Sequence, residues 1–547
     1  MSREIHAIVK QMAPSDEQAP PIMARGSDVA VTAGAGAGKT RTLVARALSL
    51  LADGLPLRAL VAITFTRKAA REMRNRMRAE VRRYLESEDL SGEERDRWRR
   101  AYTQLDAARI GTIHSLCAEI LRHHPAEMGL DPRFDTLEEG QMALLRAQAI
   151  DVALARAADD PDTVHLFADF GERGLRHAIG HLLEKRLDVS EARRRLPADL
   201  WSAWRPHLIA PMRAFVDHPT VQADFAALAA LRADGTLERA EAAGDALAPD
   251  LRSALRHWDA IEAAQQKGDW DTISRHLAPL RDALKQKGRK ANWAPAAPKA
   301  VIAALQDMYD EHLKPLVGSG IDLALDRHLA QDVVPALLRV HDRALAHCNR
   351  AKRERQALDF DDLEAQALQL LREHPDVRAY WQGQIQALLV DEFQDTNGRQ
   401  RDLLDLLNGD AGRLFIVGDG KQSIYRFRGA DVTVFRRERE SIDARGAGFE
   451  LATSYRAHQD LIEALNALLR PVLGERDDPQ RPYIEPFAAI RPHRAEPASG
   501  LAPPYVELHL AAGTKSDGAL DRAARALAAR LVALVEDEDV ILTGQDA

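Results

Sequence analysis

The sequence predicts an α/β protein, a parallel sheet interrupted by a long all-helical segment. Three observations predict it. Near the N-terminus, short apolar runs alternate with amphipathic stretches at helical spacing. From about Glu138 to Lys352 the texture changes to Ala, Leu, Arg and Glu with helical periodicity and few β-branched runs. Strand-like runs then return at Ala387–Val390, Leu414–Val417 and Phe449–Ala452. The simplest account is a helical domain inserted into one α/β domain. The expected divisions are 1–137, 138–350, 351–446 and 447–547.

The first candidate strands are Asp28–Val31, Ala59–Phe65 and Arg109–Ile113. "VTAGAGAGKTRTLVARA", Val31 to Ala47, joins the first of them to a helix. Leu43, Val44, Ala47, Leu48 and Leu51 recur at helical spacing, and Gly54 offers a stop. Glycine and alanine let the backbone turn its N–H groups inward, and the helix N-terminus adds partial positive charge. Such a cavity suits phosphate. The pattern Ala33-x-x-x-x-Gly38-Lys39-Thr40 is a P-loop with alanine first. Ala33, Gly34, Ala35, Gly36, Ala37, Gly38, Lys39, Thr40 and Arg41 are therefore the expected nucleotide-binding loop. Lys39 would reach the terminal phosphates and the Thr40 hydroxyl would ligate Mg²⁺.

The next helix, "RKAAREMRNRMRAEVRR" from Arg67 to Arg83, carries eight basic residues and two acidic ones. Within the helical segment, "QKGRKANWAPAAPKA", Gln286 to Ala300, reads as a loop. Beyond it, "ALLVDEFQDTN" is a buried strand with two carboxylates at its C-terminal end. Asp391 would hold Mg²⁺ through water and Glu392 would be the general base for attacking water. The Pro-rich stretch Asp477 to Pro504 reads as an extended crossing. A strand "YVELHL", Tyr505–Leu510, and a helix from about Asp521 are expected to follow it.

Composition narrows the class. The 547 residues are 46% hydrophobic and 29% charged, as in globular proteins with large cores and about three or four domains. No apolar run reaches the ~18 residues of a membrane span, so no membrane partner is expected. Two cysteines, Cys117 and Cys348, fit a reducing cytoplasm. The net charge of −8 gives no global argument for nucleic acid.

Seven segments occur in a fixed order: "AGAGAGKT", "ITFTRKAAREMRNRM", "GTIHSLC", "LDFDDLE", "DEFQDTN", "VGDGKQSIYRFRGAD" and "LATSYRA". Together they resemble the UvrD/RecB-like family of superfamily 1 DNA helicases. The AddA/RecB helicase–nuclease branch is the nearest in look, through "TIHSLCAEILR", the large helical insertion and Phe427 in "IYRFRGAD". The resemblance implies a RecA-like motor domain, the start of a second one, and ATP-dependent 3′–5′ movement on single-stranded DNA in recombination and double-strand-break repair. A UvrD/Rep-type repair helicase without nuclease is the first alternative. An ATP- and DNA-binding module that does not unwind is the second.

By the same resemblance, Gln18 reads adenine and Tyr455 stacks beside it. Gln422 touches the γ-phosphate, and Arg456 reaches it from the second motor domain. Phe65, His114, Tyr425, Phe427 and Arg428 match positions that line single-stranded DNA, and Arg67, which stands where the family frequently has asparagine, is expected to bind DNA with them. Duplex junctions are further expected partners, and so is a nuclease or a second helicase-complex subunit. Gly420 departs from the family's frequent proline or aspartate, and Ser454 from its frequent asparagine. Two later family motifs, including the Thr-x-His-x-x-Lys-Gly-Leu-Glu core, are absent. The expectation is the front portion of a longer helicase, or a shortened one, that does not unwind duplex DNA by itself.

Overall fold

The structure, a computed structural model, describes residues 5–87, 90–285, 296–409, 412–497, 503, 505–514 and 517–536. In chain order the strands are β1 (Val29–Ala33), β2 (Leu60–Ile63), β3 (Arg109–Gly111), β4 (Asp135–Thr136), β5 (Ala357–Leu358), β6 (Ala387–Val390), β7 (Leu414–Gly418), β8 (Gly448–Leu451), β9 (Thr453–His458) and β10 (Arg491–Arg494). Six of them form one wholly parallel sheet in the order β3-β2-β6-β7-β1-β8.

The inner strands of that sheet are apolar at nearly every position because both faces are covered. Ala30, Val61, Ile63, Leu388, Val390 and Ile416 join the core of one face. Their neighbours Val29, Val31, Leu60, Ala62, Leu389 and Phe415 join the other. Helices Lys39–Ala52, Arg67–Leu85 and Gly92–Gln104 bury Leu43, Met73 and Trp98 on the second face. Helices Ile113–His123, Phe360–Glu373, Gly398–Asn408 and Val432–Asp443 bury Leu116, Leu370, Leu404 and Phe435 on the first. This doubly covered parallel sheet, with a glycine-rich loop after β1, is a RecA-like fold.

Two units divide the chain: Met1–Thr136 with Gln356–Ala547, and Leu137–Arg355. The second unit is helical, from Glu139–Ala158 to Val334–Glu354, with cores built around Trp258 and Leu280 and around Ile179 and Val340. β4 and β5 pair in parallel in the first unit, at the two points where the chain passes into and out of the insertion.

Several boundaries differ from the sequence reading. The strand expected at Arg109–Ile113 stops at Gly111, because Thr112 Oγ1 accepts from Ser115 N and caps the next helix. The run expected to open a second domain, Phe449–Ala452, gives β8, which pairs with β1 at the edge of the first sheet. Tyr505–Leu510 is not a strand: Leu508 and Leu510 are exposed and no partner pairs with them among the described residues. Of the loop expected at Gln286 to Ala300, residues 286–295 lie outside the described residues, and a helix, Ala296–Met308, begins within its end.

Candidate active site

The loop after β1 folds on two left-handed glycines. Gly36 and Gly38 have φ of +76° and +84°, a region that L side chains rarely adopt. A Cβ on Gly36 would lie 2.7 Å from both Arg456 Cβ and Ser454 Oγ. The loop and β9 therefore touch backbone to backbone, and Tyr455 N donates to Gly36 O at 2.9 Å. Gln18 is buried on the other side, its Nε2 donating to Ala37 O at 3.1 Å and its Oε1 accepting from Ser15 N at 3.2 Å. Its amide thus braces the loop backbone. Arg41 donates to the carbonyls of Met12 and Ala13, and Gly34 N donates to Leu451 O. The Tyr455 ring lies 4.5 Å from that of His493.

Three distant segments converge on Lys39. Its Nζ donates to Glu392 Oε2 at 2.9 Å and to Gln422 Oε1 at 3.0 Å. Asp391 directly follows β6, accepts from Glu392 N at 3.1 Å and is hydrogen-bonded by the Thr40 side chain. Burial, and then the charge of Glu392, push its carboxyl up to about 7 against the pull of Lys39. The same two causes push Asp395 up to about 6. Glu392 has φ +52°, a conformation uncommon outside glycine and frequent at functional turns. The Thr40 hydroxyl and the Asp391 carboxylate are hard oxygen donors. Mg²⁺ takes one or two carboxylates alongside phosphate oxygens, so this pair fits it.

The sequence reading left out the groups that hold these side chains. Gln394 is buried, donates to Glu392 Oε2 at 2.8 Å and accepts from Asp419 N at 3.0 Å. Asp419 in turn accepts from Gln422 Nε2 at 2.8 Å. The general-base candidate and the phosphate-sensing candidate are therefore tied together through Gln394 and Asp419. Both lie inside motifs already quoted, "DEFQDTN" and "VGDGKQSIYRFRGAD". Beside them, a Cβ on Gly420 would stand 2.8 Å from Glu485 Oε2. Arg439 holds Glu485 at 2.6 Å and Arg436 at 3.5 Å, and Arg436 also binds Asp477 at 2.7 Å. The Pro-rich crossing is thus fastened to helix Val432–Asp443, next to the Gln422 turn.

Of the residues expected to line DNA, Phe65, Tyr425 and Phe427 come together. Phe65 and Tyr425 stack at 4.5 Å, and the Tyr425 and Phe427 rings lie 5.9 Å apart. Phe427 is 73% exposed, which sets it apart from the core aromatics. Arg67 opens its helix on the exposed side, directly after the capping Thr66. His114 is held by Glu364, at 2.9 Å, on helix Phe360–Glu373. Arg428 ends a short turn, and its side chain lies outside the described residues. Among the described residues no helix is long and apolar enough to cross a membrane.

Comparison with known proteins bears on this geometry. The family model for the UvrD/REP helicase N-terminal domain matches residues 14–443. An ATP-dependent helicase/nuclease subunit from Staphylococcus aureus strain NCTC 8325 / PS 47 is 28% identical over 516 aligned residues, covering 84% of this chain and 40% of that protein. The proteins of the same description from strains USA300 / TCH1516 and JH9 give the same identity and coverage. The chain therefore spans 40% of the length of these relatives.

Proposed function

Because the chain belongs to the UvrD/REP helicase family, we propose that it binds and hydrolyses ATP and uses the cycle to move 3′–5′ along single-stranded DNA. The observation that carries the reading is the convergence of Glu392 and Gln422 on the Lys39 ammonium. In this arrangement the terminal phosphates of ATP take over Lys39, which frees the Glu392 carboxylate to receive a proton from water. Thr40 and Asp391 would hold Mg²⁺, which would supply charge neutralisation at the phosphate oxygens. Gln394 keeps Glu392 aimed while Lys39 changes partners. Gln422 carries the presence of the γ-phosphate to the turn that leads to Tyr425 and Phe427, so hydrolysis and DNA grip share one short segment. Arg456, on the strand that crosses Gly36, is the arginine finger, and Tyr455 beside it lies along the adenine.

The likeness to these helicase/nuclease proteins favours a role in recombination and double-strand-break repair, in company with a nuclease or a second subunit. ATP turnover with and without oligothymidylate tests the reading. Wild type should be stimulated by DNA. Lys39→Ala should abolish turnover. Glu392→Gln should keep nucleotide affinity and lose about 100-fold or more in turnover. Turnover of Lys39→Ala within a few-fold of wild type would refute the site assignment. Phe427→Ala should weaken oligothymidylate binding by about 1–3 kcal/mol with an unchanged salt slope, since stacking and not a phosphate contact is removed. Unchanged affinity would remove Phe427 from the DNA surface.

A further inference from the structure

We propose that Glu364 is a positioning residue that fixes the His114 imidazole for contact with single-stranded DNA. The inference rests on the reading, implied by the family resemblance, that His114 lines single-stranded DNA, and adds to it the group that orients the ring.

Glu364 is 7% exposed, and a carboxylate so buried requires hydrogen-bond donors. Two side chains supply them. His114 Nε2 lies 2.9 Å from Oε1, and Gln400 Nε2 donates to the same oxygen. An ionised carboxylate only accepts, so the proton of this bond sits on His114 Nε2. Burial pushes the carboxyl up. The bonds and charge from His114, and then the bond from Gln400, outweigh that push and hold it below its ordinary value. Phe360, one turn earlier on the same helix, sets its ring 4.7 Å from the imidazole. The ring is thereby fixed at one nitrogen and along its side. Its Nδ1 is the nitrogen that remains for a ligand.

His114 lies in the first turn of helix Ile113–His123, which Thr112 caps. Gln400 lies in the first turn of helix Gly398–Asn408, capped by Asn397 and following the turn that carries Asp391 and Glu392. Both helices are anchored by apolar residues, among them Leu116, Leu121, Leu403 and Leu407. The carboxylate thus sits between the starts of these two helices, where it holds both the His114 imidazole and the Gln400 amide.

The test is a double-mutant cycle on the full chain with fluorescein-labelled oligothymidylate as probe. His114→Ala should raise Kd about ten-fold. Glu364→Gln, which keeps the shape but loses the charge, should raise Kd by several-fold. In the His114→Ala background it should add less than about two-fold, because its target is gone. In ATP turnover, Glu364→Gln should raise the oligonucleotide concentration for half-maximal stimulation and leave the rate at saturating DNA within about two-fold of wild type. If Glu364→Gln folds poorly, Glu364→Asp serves, with a smaller rise and the same dependence on His114. Equal weakening by Glu364→Gln in both backgrounds would overturn the proposal, as would a normal half-maximal concentration with a depressed maximal rate. If His114→Ala binds DNA as wild type does, the placement of His114 on the DNA surface is what fails, and the proposal falls with it.

Discussion

Lys39, Asp391 and Glu392 illustrate what a single side chain reveals before folding. Each is a charge beside a glycine-rich turn or at the end of an apolar run, and chemistry alone points to it. Gln394 and Asp419 give no such signal. A neutral amide or an ordinary aspartate acquires its role only when strand ends from distant segments meet. Asp391 also offers a test of its environment. Its folded pKa, about 7, lies above the ordinary 3.8. The native state thus holds a proton that the unfolded chain has released, and the stability this gives is full below about pH 4 and lost as pH rises through 7. Asp391→Asn removes that loss. Without divalent cations, the stability it gains over wild type should be about 3 kcal/mol larger at pH 8 than at pH 4.5. Denaturant melts at the two pH values check this, and an equal change at both would place the carboxylate in a polar setting.

At the scale of elements, the apolar strands and amphipathic helices of the first sheet are legible because both sheet faces are buried, which leaves unbroken runs such as "ALLV" and "LFIV". Membership of a sheet is not. β8 reads as the opening of a later domain, because nothing local to Gly448–Leu451 says that its partner is β1. The strand expected at Tyr505–Leu510 has the right alternation and no neighbour to pair with among the described residues. The fastening of the Pro-rich crossing is also invisible in the sequence, since it rests on Arg436, Arg439 and Glu485 meeting across the fold. It predicts a coupled pair of substitutions. Gly420→Ala places a methyl against Glu485 Oε2, which two arginines hold, and should destabilise by about 1–2 kcal/mol. In a Glu485→Ala background the same change should cost little. Thermal melts of the four proteins decide it, and additivity would mean that Glu485 moves aside freely.

The whole molecule is one α/β unit into which a helical unit is spliced. The change of texture near 138 and 352 announces it, and the structure divides at Leu137 and Arg355. The helical unit has its own cores and should fold when produced alone as residues 137–355, with a helical spectrum and a cooperative melt. A broad, non-cooperative transition would show that it borrows stability from the other unit. Synthesis meets these two units in very different ways. Asp28 accepts from the backbone of Leu414, 386 residues away, and β1 finds both of its neighbours only beyond that point. At about 5–20 residues per second, the ribosome leaves this apolar strand without its neighbours for on the order of 20–80 s. The helical unit, whose contacts are local, can be complete in that interval. The nascent chain is therefore a finished helical body trailing an unfinished sheet, and its yield in the cell depends on whatever shields "VAV" until "LFIV" emerges.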